Sequence, residues 1–472
     1  MELATELKAG SHIHLMGICG TAMASLAGLL KDKGYKVTGS DANPYPPMST
    51  QIENMGIQIM TGYAAANLSE KPDFVIVGNV ISSNNPEAQE LARLKIPFTS
   101  LPKALGEHVI QDREAIVMSG THGKTTTTSM MAWVAEQCGK KPGFLIGGIP
   151  KNFSQSFKNP EGKYFIIEGD EYDTAYFDKV PKFIHYKPRH VILTSIEFDH
   201  ADIYKDLDDV KKAFQTLINL VPAEGSFIYW AQDPHIKAMM KTCKAKVQLS
   251  YGLKDADVVA KVKSITDQGT VFEVIYKNEN LGDFEFPMTG DYNVLNATAV
   301  IAMAAHLGWN IMEVKGALKS FEGVKRRQEI LGEPNGILVI EDFAHHPTAV
   351  RETIKGIQNK YKGRKVFSVF EPRSATSRRK VFQKDYLKAF MTSDEVIIAK
   401  AFDQSKIDEG DRFSTDELVA DLKTQGRQAY CLDSTDDIVE HLKTKARHGD
   451  LILIMSNGGF DGIYGKLLKA LN

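Results

Sequence analysis

Short apolar runs alternate with stretches of helical periodicity along almost the whole chain, the pattern of parallel sheets covered by helices. Residues 12–16 read as a strand, 21–33 as a helix closed by Gly34, and 36–39 and 73–77 as further strands. A more polar, less periodic stretch over 102–113 precedes a new strand at 115–119, which predicts a domain boundary near residue 112. A second region runs through strands at 164–167 and 191–194, an alternating stretch at 270–287 and an alanine-rich helix at 293–307. The alternation suggests an antiparallel sheet edge. The strand pattern restarts at 336–341, 365–370, 395–399 and 450–455. The expected fold class is α/β in three domains, 1–112, 113–329 and 330–472.

Length agrees, since 472 residues exceed a typical domain about threefold. With 43% hydrophobic and 25% charged residues the chain matches ordinary globular proteins, which excludes disorder, collagen and disulfide scaffolds. The formal charge of −2 provides no broad field for nucleic acid or anionic lipid, so any anion must be held locally. Cys19, Cys138, Cys243 and Cys431 form no CxxC pair and suggest a reducing compartment. The N-terminus has no basic region ahead of an apolar core, and no long apolar run follows. A cytoplasmic protein with no membrane and no nucleic-acid partner is expected.

The strongest local signal is the strand 115–119 followed by Gly120, Thr121, His122, Gly123, Lys124, Thr125 and Thr126 and then a helix. This is the order of a phosphate loop. Glycines let backbone N–H groups converge on an anion, the helix N-terminus adds partial positive charge, Lys124 reaches terminal phosphates and Thr125 can ligate magnesium. Met118 stands where the common pattern has its first glycine, and Gly120 supplies the turn instead. Magnesium on a triphosphate needs a hard oxygen near the loop, and Glu168 ends the apolar run 164–167. Strand 191–194 leads to Asp199 and His200, which suit a second divalent ion or a merely structural turn. Gly17, Cys19 and Gly20 after the first strand form only a weak dinucleotide fingerprint, because Cys19 and Ala22 occupy glycine positions. With Thr21 opening the helix and Asp41 ending the next strand, the same physics suits a diphosphate and a ribose hydroxyl.

Together these stretches resemble the Mur ligase family, the ATP-dependent ligases of cell-wall precursor synthesis. The markers are residues 120–126, Glu168, the Asp199 and His200 pair, residues 290–293 (GDYN) with Asn296, Arg326 and Arg327, Asp342, and His345, His346 and Pro347. Residues 40–49, 371–374 (EPRS) and 455–460 (MSNGGF) look like the peptide-ligase branch rather than the L-alanine-adding one. The chain departs from the family at Tyr292, where His is common, and at Ser195, where Asn is common. Gln215 stands at a plausible place for the carbamylated lysine of some relatives, and that modification is not expected.

The resemblance implies a Rossmann-like UDP-sugar domain first, a P-loop ATPase-like domain in the centre and a Rossmann-like C-terminal domain for the amine substrate. It places Asn293 and Asn296 at adenine, Arg327 at the γ-phosphate, Asp342 at the ribose, and Mg2+ on Thr125, Glu168 and His200. Lys124, His200 and Arg327 become the catalytic set. Gly17, Cys19, Gly20, Thr21 and Asp41 meet the UDP-sugar, while His345, Arg373 and Asn457 meet a short wall peptide. The implied reaction joins UDP-N-acetylmuramate to L-alanyl-γ-D-glutamyl-meso-diaminopimelate through an acyl phosphate formed with ATP, in peptidoglycan recycling. Rival readings are the L-alanine-adding ligase, a P-loop ATPase without ligase activity, an NAD-dependent dehydrogenase and a non-catalytic nucleotide-binding module.

Overall fold

The computed structural model describes residues 7–44 and 48–472, so the middle of the 40–49 stretch lies outside the described residues. Three separate α/β sheets follow one another along the chain. The first has strands β1 (His12–Met16), β2 (Lys36–Asp41), β3 (Gln58–Thr61), β4 (Phe74–Val77) and β5 (Phe98–Ser100), all parallel in the order β3-β2-β1-β4-β5. The helix Thr21–Asp32 leaves β1 through Gly17, Cys19 and Gly20 and buries Met23, Leu26, Ala27 and Leu30. Those positions recur at three- and four-residue spacing, which turns one apolar stripe onto the sheet.

The second sheet contains β6 (Glu114–Ser119), β7 (Gly143–Leu145), β8 (Phe157–Lys158) and β9 (Tyr164–Gly169). After a small hairpin of β10 (Asp173–Ala175) and β11 (Asp178–Pro181) it continues with β12 (His190–Leu193), β13 (Ser226–Trp230) and β14 (Val247–Gly252). The order is β14-β13-β12-β6-β9-β7-β8, parallel except for β8. Ser119 sits level with Gly169 on one side and Leu193 on the other. The loops that follow β6, β9 and β12 therefore open at one carboxyl edge, where open α/β sheets take ligands.

Strand β15 (Val258–Thr266) starts beside β14. The alternating 270–287 stretch is an antiparallel hairpin of β16 (Gly269–Tyr276) and β17 (Glu279–Phe286), turned by Lys277 and Asn278, both at positive φ. The third sheet contains β18 (Glu329–Gly332), β19 (Leu338–Asp342), β20 (Val366–Phe370), β21 (Glu395–Ala399), β22 (Gln428–Leu432) and β23 (Leu451–Met455). Its order is β18-β19-β23-β20-β21-β22, parallel apart from β18. Leu338, Ile340, Phe370, Leu451 and Leu453 pack on one face, and Val339, Phe367, Val369, Ile452 and Ile454 on the other. Covering both faces explains why these strands read as unbroken apolar runs. Each such side chain contributes about 1.5–3 kcal/mol on burial.

By contacts the chain forms two compact units. One comprises Met1–Ile196, Asp208–Val259 and Thr298–Ala317, and holds the first sheet and β6 to β14; the other comprises Glu197–Leu207, Ala260–Ala297 and Leu318–Asn472, and holds the third sheet. Among the described residues no helix is long and apolar enough to cross a membrane.

Candidate active site

The strand, glycine turn and helix start expected around residues 115–126 are all formed. Gly120 has φ +128°, and a Cβ there would lie 2.2 Å from Thr194 Oγ1 and 2.9 Å from Ser195 N, so only glycine permits this approach to the end of β12. Thr121 N donates to Ser195 O at 2.9 Å and His122 N to Ser195 Oγ at 3.3 Å, so the serine that replaces the common asparagine still anchors the loop. Gly123 precedes the helix Lys124–Gln137, whose N-terminus has no side-chain cap and no acid in its first turn. Thr126 begins the buried face of that helix. Free N–H groups and the positive end of the helix dipole are what a phosphate needs.

Lys124 Nζ donates to Gly120 O at 2.7 Å and to Glu171 Oε2 at 3.1 Å, with Asp170 Oδ1 at 3.9 Å. Burial opposes its charge, but Glu171 and Asp170 outweigh that and keep the amine protonated. Lys182 was not anticipated. Its Nζ lies 2.8 Å from Asp170 Oδ2 and 4.2 Å from the Tyr172 ring centre. Burial disfavours the Asp170 carboxylate, yet Lys182 and Lys124 hold it well below the usual range. A lone lysine between strands carries no signal in sequence.

Thr125 Oγ1 donates to Glu168 Oε2 at 2.9 Å, and Gly147 N to Glu168 Oε1 at 2.6 Å. Loss of solvent and the neighbouring Asp170 push the Glu168 carboxyl up. A carboxylate disfavoured in this way, beside a hydroxyl, is a hard-oxygen pair that a divalent cation would stabilise. His200, the third expected ligand, is carried on Glu197–Leu207 in the other unit. It adopts φ +54°, and its N donates to Asp199 Oδ1 at 2.8 Å.

In the first sheet, Cys19 N donates to Asp41 Oδ2 at 2.9 Å, and Gly17 N and Ile18 N donate to Ser40 O at 2.8 and 3.0 Å. Gly17, Cys19, Gly20, Thr21 and Asp41 are thus gathered at one uncapped helix N-terminus. Burial and Asp41 raise the Cys19 thiol to about 11, leaving it unreactive.

In the second unit Asp199 Oδ1 accepts from Thr376 Oγ1 at 2.7 Å, and Thr348 Oγ1 donates to Glu197 Oε2 at 2.7 Å. These bonds fasten 197–207 to the third sheet, an attachment with no sequence signal. His345 Nε2 lies 3.8 Å from Asp199 Oδ2, and burial of Asp199 is overcome by His345, His200 and His346, which hold it well below the usual carboxylate range. Arg327 lies over the Phe343 ring at 4.8 Å. Asp342 is buried and accepts from Gln328 N at 2.9 Å and Ala344 N at 2.8 Å, so it fixes the turn carrying Arg327. Asn293 Nδ2 donates to Thr289 O at 2.8 Å, while its buried Oδ1 has no partner among the described residues. That spare acceptor suits an exocyclic amine. Asn296 is buried one turn on, and Tyr292 Oη accepts from Gln328 Nε2 at 2.5 Å. Arg373 and Asn457 follow β20 and β23, whose ends Phe370 and Met455 are in register.

Three family domains match the chain, namely the Mur ligase family catalytic domain over residues 12–113, the Mur ligase middle domain over 118–304 and the Mur ligase glutamate ligase domain over 326–458. The chain belongs to the Mur ligase family, whose members use ATP to form an amide bond. It is 40% identical over 464 residues to the UDP-N-acetylmuramate–L-alanyl-γ-D-glutamyl-meso-2,6-diaminoheptandioate ligase of Escherichia coli, covering 97% of this chain and 98% of the relative. To the UDP-N-acetylmuramate–L-alanine ligase of Desulfitobacterium hafniense it is 32% identical over 449 residues, 95% of this chain and 97% of that one. The crystal structure of a murein peptide ligase from Psychrobacter arcticus aligns with a TM-score of 0.74 at 36% identity, covering 98% of this chain and 99% of that one.

Proposed function

We propose that this protein joins UDP-N-acetylmuramate to the free tripeptide L-alanyl-γ-D-glutamyl-meso-diaminopimelate at the expense of ATP, in the cytoplasm, during reuse of wall fragments. The observation that carries the reading is the loop after β6, where uncapped N–H groups, Lys124 and the Thr125–Glu168 pair converge on the space a triphosphate requires. The tripeptide is preferred to L-alanine because the peptide-adding relative is 40% identical and the alanine-adding one 32%, each over nearly the full chain.

A free carboxylate is a poor electrophile, so it must first be activated. A lactyl carboxylate oxygen attacks the γ-phosphorus of ATP and ADP leaves, giving an acyl phosphate. The peptide nitrogen then attacks the acyl carbon, phosphate departs, and the ammonium proton is lost to solvent or a base. Phosphoryl transfer is mainly positioning and charge stabilisation. Residues 120–126 cradle the phosphates and Lys124 neutralises charge at the transferring group, while the resemblance assigns Arg327 to the γ-phosphate and Asn293 and Asn296 to adenine. Thr125 and Glu168 would hold magnesium in the first unit, with His200 the further ligand expected from sequence; the ion would supply charge neutralisation. Asp342 orients the Arg327 turn and keeps lone pairs for a ribose hydroxyl. The 17–21 loop and Asp41 take the diphosphate and ribose of the UDP-sugar, and His345, Arg373 and Asn457 take the peptide.

Mass spectrometry of reactions containing UDP-N-acetylmuramate, ATP and magnesium with tripeptide, L-alanine or no amine tests this. The tripeptide adduct is expected to dominate. Exclusive formation of the alanine adduct, or no adduct at all, would overturn the reading.

A further inference from the structure

Arg326 does not share the role of its neighbour Arg327. Its Nε lies 2.5 Å from Glu341 Oε1, and its Nη2 donates to Ser456 O at 3.0 Å and Gly458 O at 2.6 Å. It sits at φ +62°, a strained position for a non-glycine residue, held by the bond from its own N to Glu329 Oε2 at 2.7 Å. The contacts continue beyond the loop it grips. Ser456 Oγ accepts from Gly458 N at 2.9 Å and donates to Glu371 Oε2 at 2.5 Å. Glu371 Oε1 in turn lies 3.3 Å from Arg373 Nη1, and the Arg373 guanidinium stacks 4.0 Å over the Phe402 ring.

Gly458 lies flat against the same arginine. A Cβ there would fall 2.1 Å from Arg373 Cδ and 2.2 Å from its Nε. The Arg373 stem is thus clamped between a glycine backbone, an aromatic ring and a carboxylate. Glu371 is its one acceptor among the described residues, and its side chain keeps 32% exposure. A pre-oriented, partly exposed guanidinium is the group best suited to a bidentate carboxylate. Beside it the Asn457 Oδ1 is buried without a partner among the described residues.

We infer that Arg326, Ser456 and Glu371 form a positioning relay that sets Arg373, across Gly458, for a carboxylate of the incoming peptide. This rests on the amide-ligase reading above.

The test is steady-state kinetics of the full chain with each of the three substrates varied, on Glu371→Gln, Gly458→Ala, Arg326→Met and Arg326→Lys. Glu371→Gln keeps shape and loses the charge facing Arg373. The KM for tripeptide is expected to rise about tenfold or more in Glu371→Gln, Gly458→Ala and Arg326→Met, the effect of losing a charge-assisted hydrogen bond. The KM values for ATP and UDP-N-acetylmuramate stay within about twofold, and Arg326→Lys restores part of the loss. A merely structural role would raise all three KM values or lower kcat alone, and either result overturns the relay, as does an unchanged peptide KM. Should Gly458→Ala fail to fold, the isosteric Glu371→Gln decides. Absence of turnover in the unmodified protein would instead sink the ligase reading.

Discussion

Glu168→Gln separates a functional carboxylate from a structural one. The carboxylate accepts from Thr125 Oγ1 at 2.9 Å and Gly147 N at 2.6 Å, and glutamine can present its single carbonyl oxygen to only one of these donors. The lost neutral hydrogen bond costs about 1 kcal/mol. Acting against that loss, burial and Asp170 disfavour the charged form of Glu168. An acid whose folded pKa is raised binds its proton more tightly folded than unfolded, so native stability falls as pH rises above the ordinary carboxylate range, and glutamine removes that penalty at neutral pH. The two effects nearly offset, leaving stability within about 1 kcal/mol and the melting temperature within about 4 °C. Activity behaves differently. Loss of the charged oxygen with which Glu168 would hold magnesium at the phosphates lowers kcat about 10²- to 10³-fold, roughly 3–4 kcal/mol. Phosphate release measured across a magnesium titration, with a thermal melt of the same preparation, reads both quantities. Activity within about threefold of the unmodified protein at the same magnesium dependence, or a loss that merely follows a fall in melting temperature, would show that Glu168 takes no part in phosphoryl transfer.

Gly120→Ala places a methyl group against the Thr194 hydroxyl and the Ser195 backbone at φ +128°, and the combined clash and backbone strain costs about 2–4 kcal/mol; ATP affinity measured by calorimetry is expected to collapse with stability. Lys182→Met leaves Asp170 without its nearest cation and costs about 3 kcal/mol, read as a lower urea midpoint at pH 7. Burial lowers the His190 imidazole to about 4 despite Glu114 beside it, so its contribution is complete above pH 6.5 and is lost as pH falls towards 4. That difference amounts to about 3 kcal/mol, and His190→Gln is expected to flatten the urea midpoint between pH 7.5 and pH 5.

The parts of the fold legible in sequence are those where both faces of a strand are covered. The strands β6, β9, β20 and β23 read clearly because Ile116, Ile166, Val369 and Leu453 and their neighbours are all buried. Edge strands and very short ones do not. The sequences QIMT of β3 and QAYCL of β22 mix polar and apolar residues because one side meets solvent, and GFL of β7 is too short to show a period. The hairpin edge at 270–287 was visible through alternation, but its Lys277 turn residue gives no left-handed signal. For the site, the loop after β6 and the strand-end Glu168 were legible because a glycine turn entering a helix and an acid ending an apolar run are local patterns. Lys182, Thr376 and Glu197 were not, since each acts through a partner distant in sequence: Asp170, Asp199 and Thr348. The division of labour between Arg326 and Arg327 was hidden for the same reason, because only the folded chain brings Ser456 and Gly458 to Arg326.

In the proposed reaction ATP passes its terminal phosphoryl group to a sugar carboxylate before any amide forms. UDP-N-acetylmuramate labelled with oxygen-18 in its lactyl carboxylate, incubated with ATP, magnesium and tripeptide, measures that step. One labelled oxygen is expected in the inorganic phosphate released, with ADP as the nucleotide product. Unlabelled phosphate accompanying amide formation, or release of AMP and pyrophosphate, would contradict it.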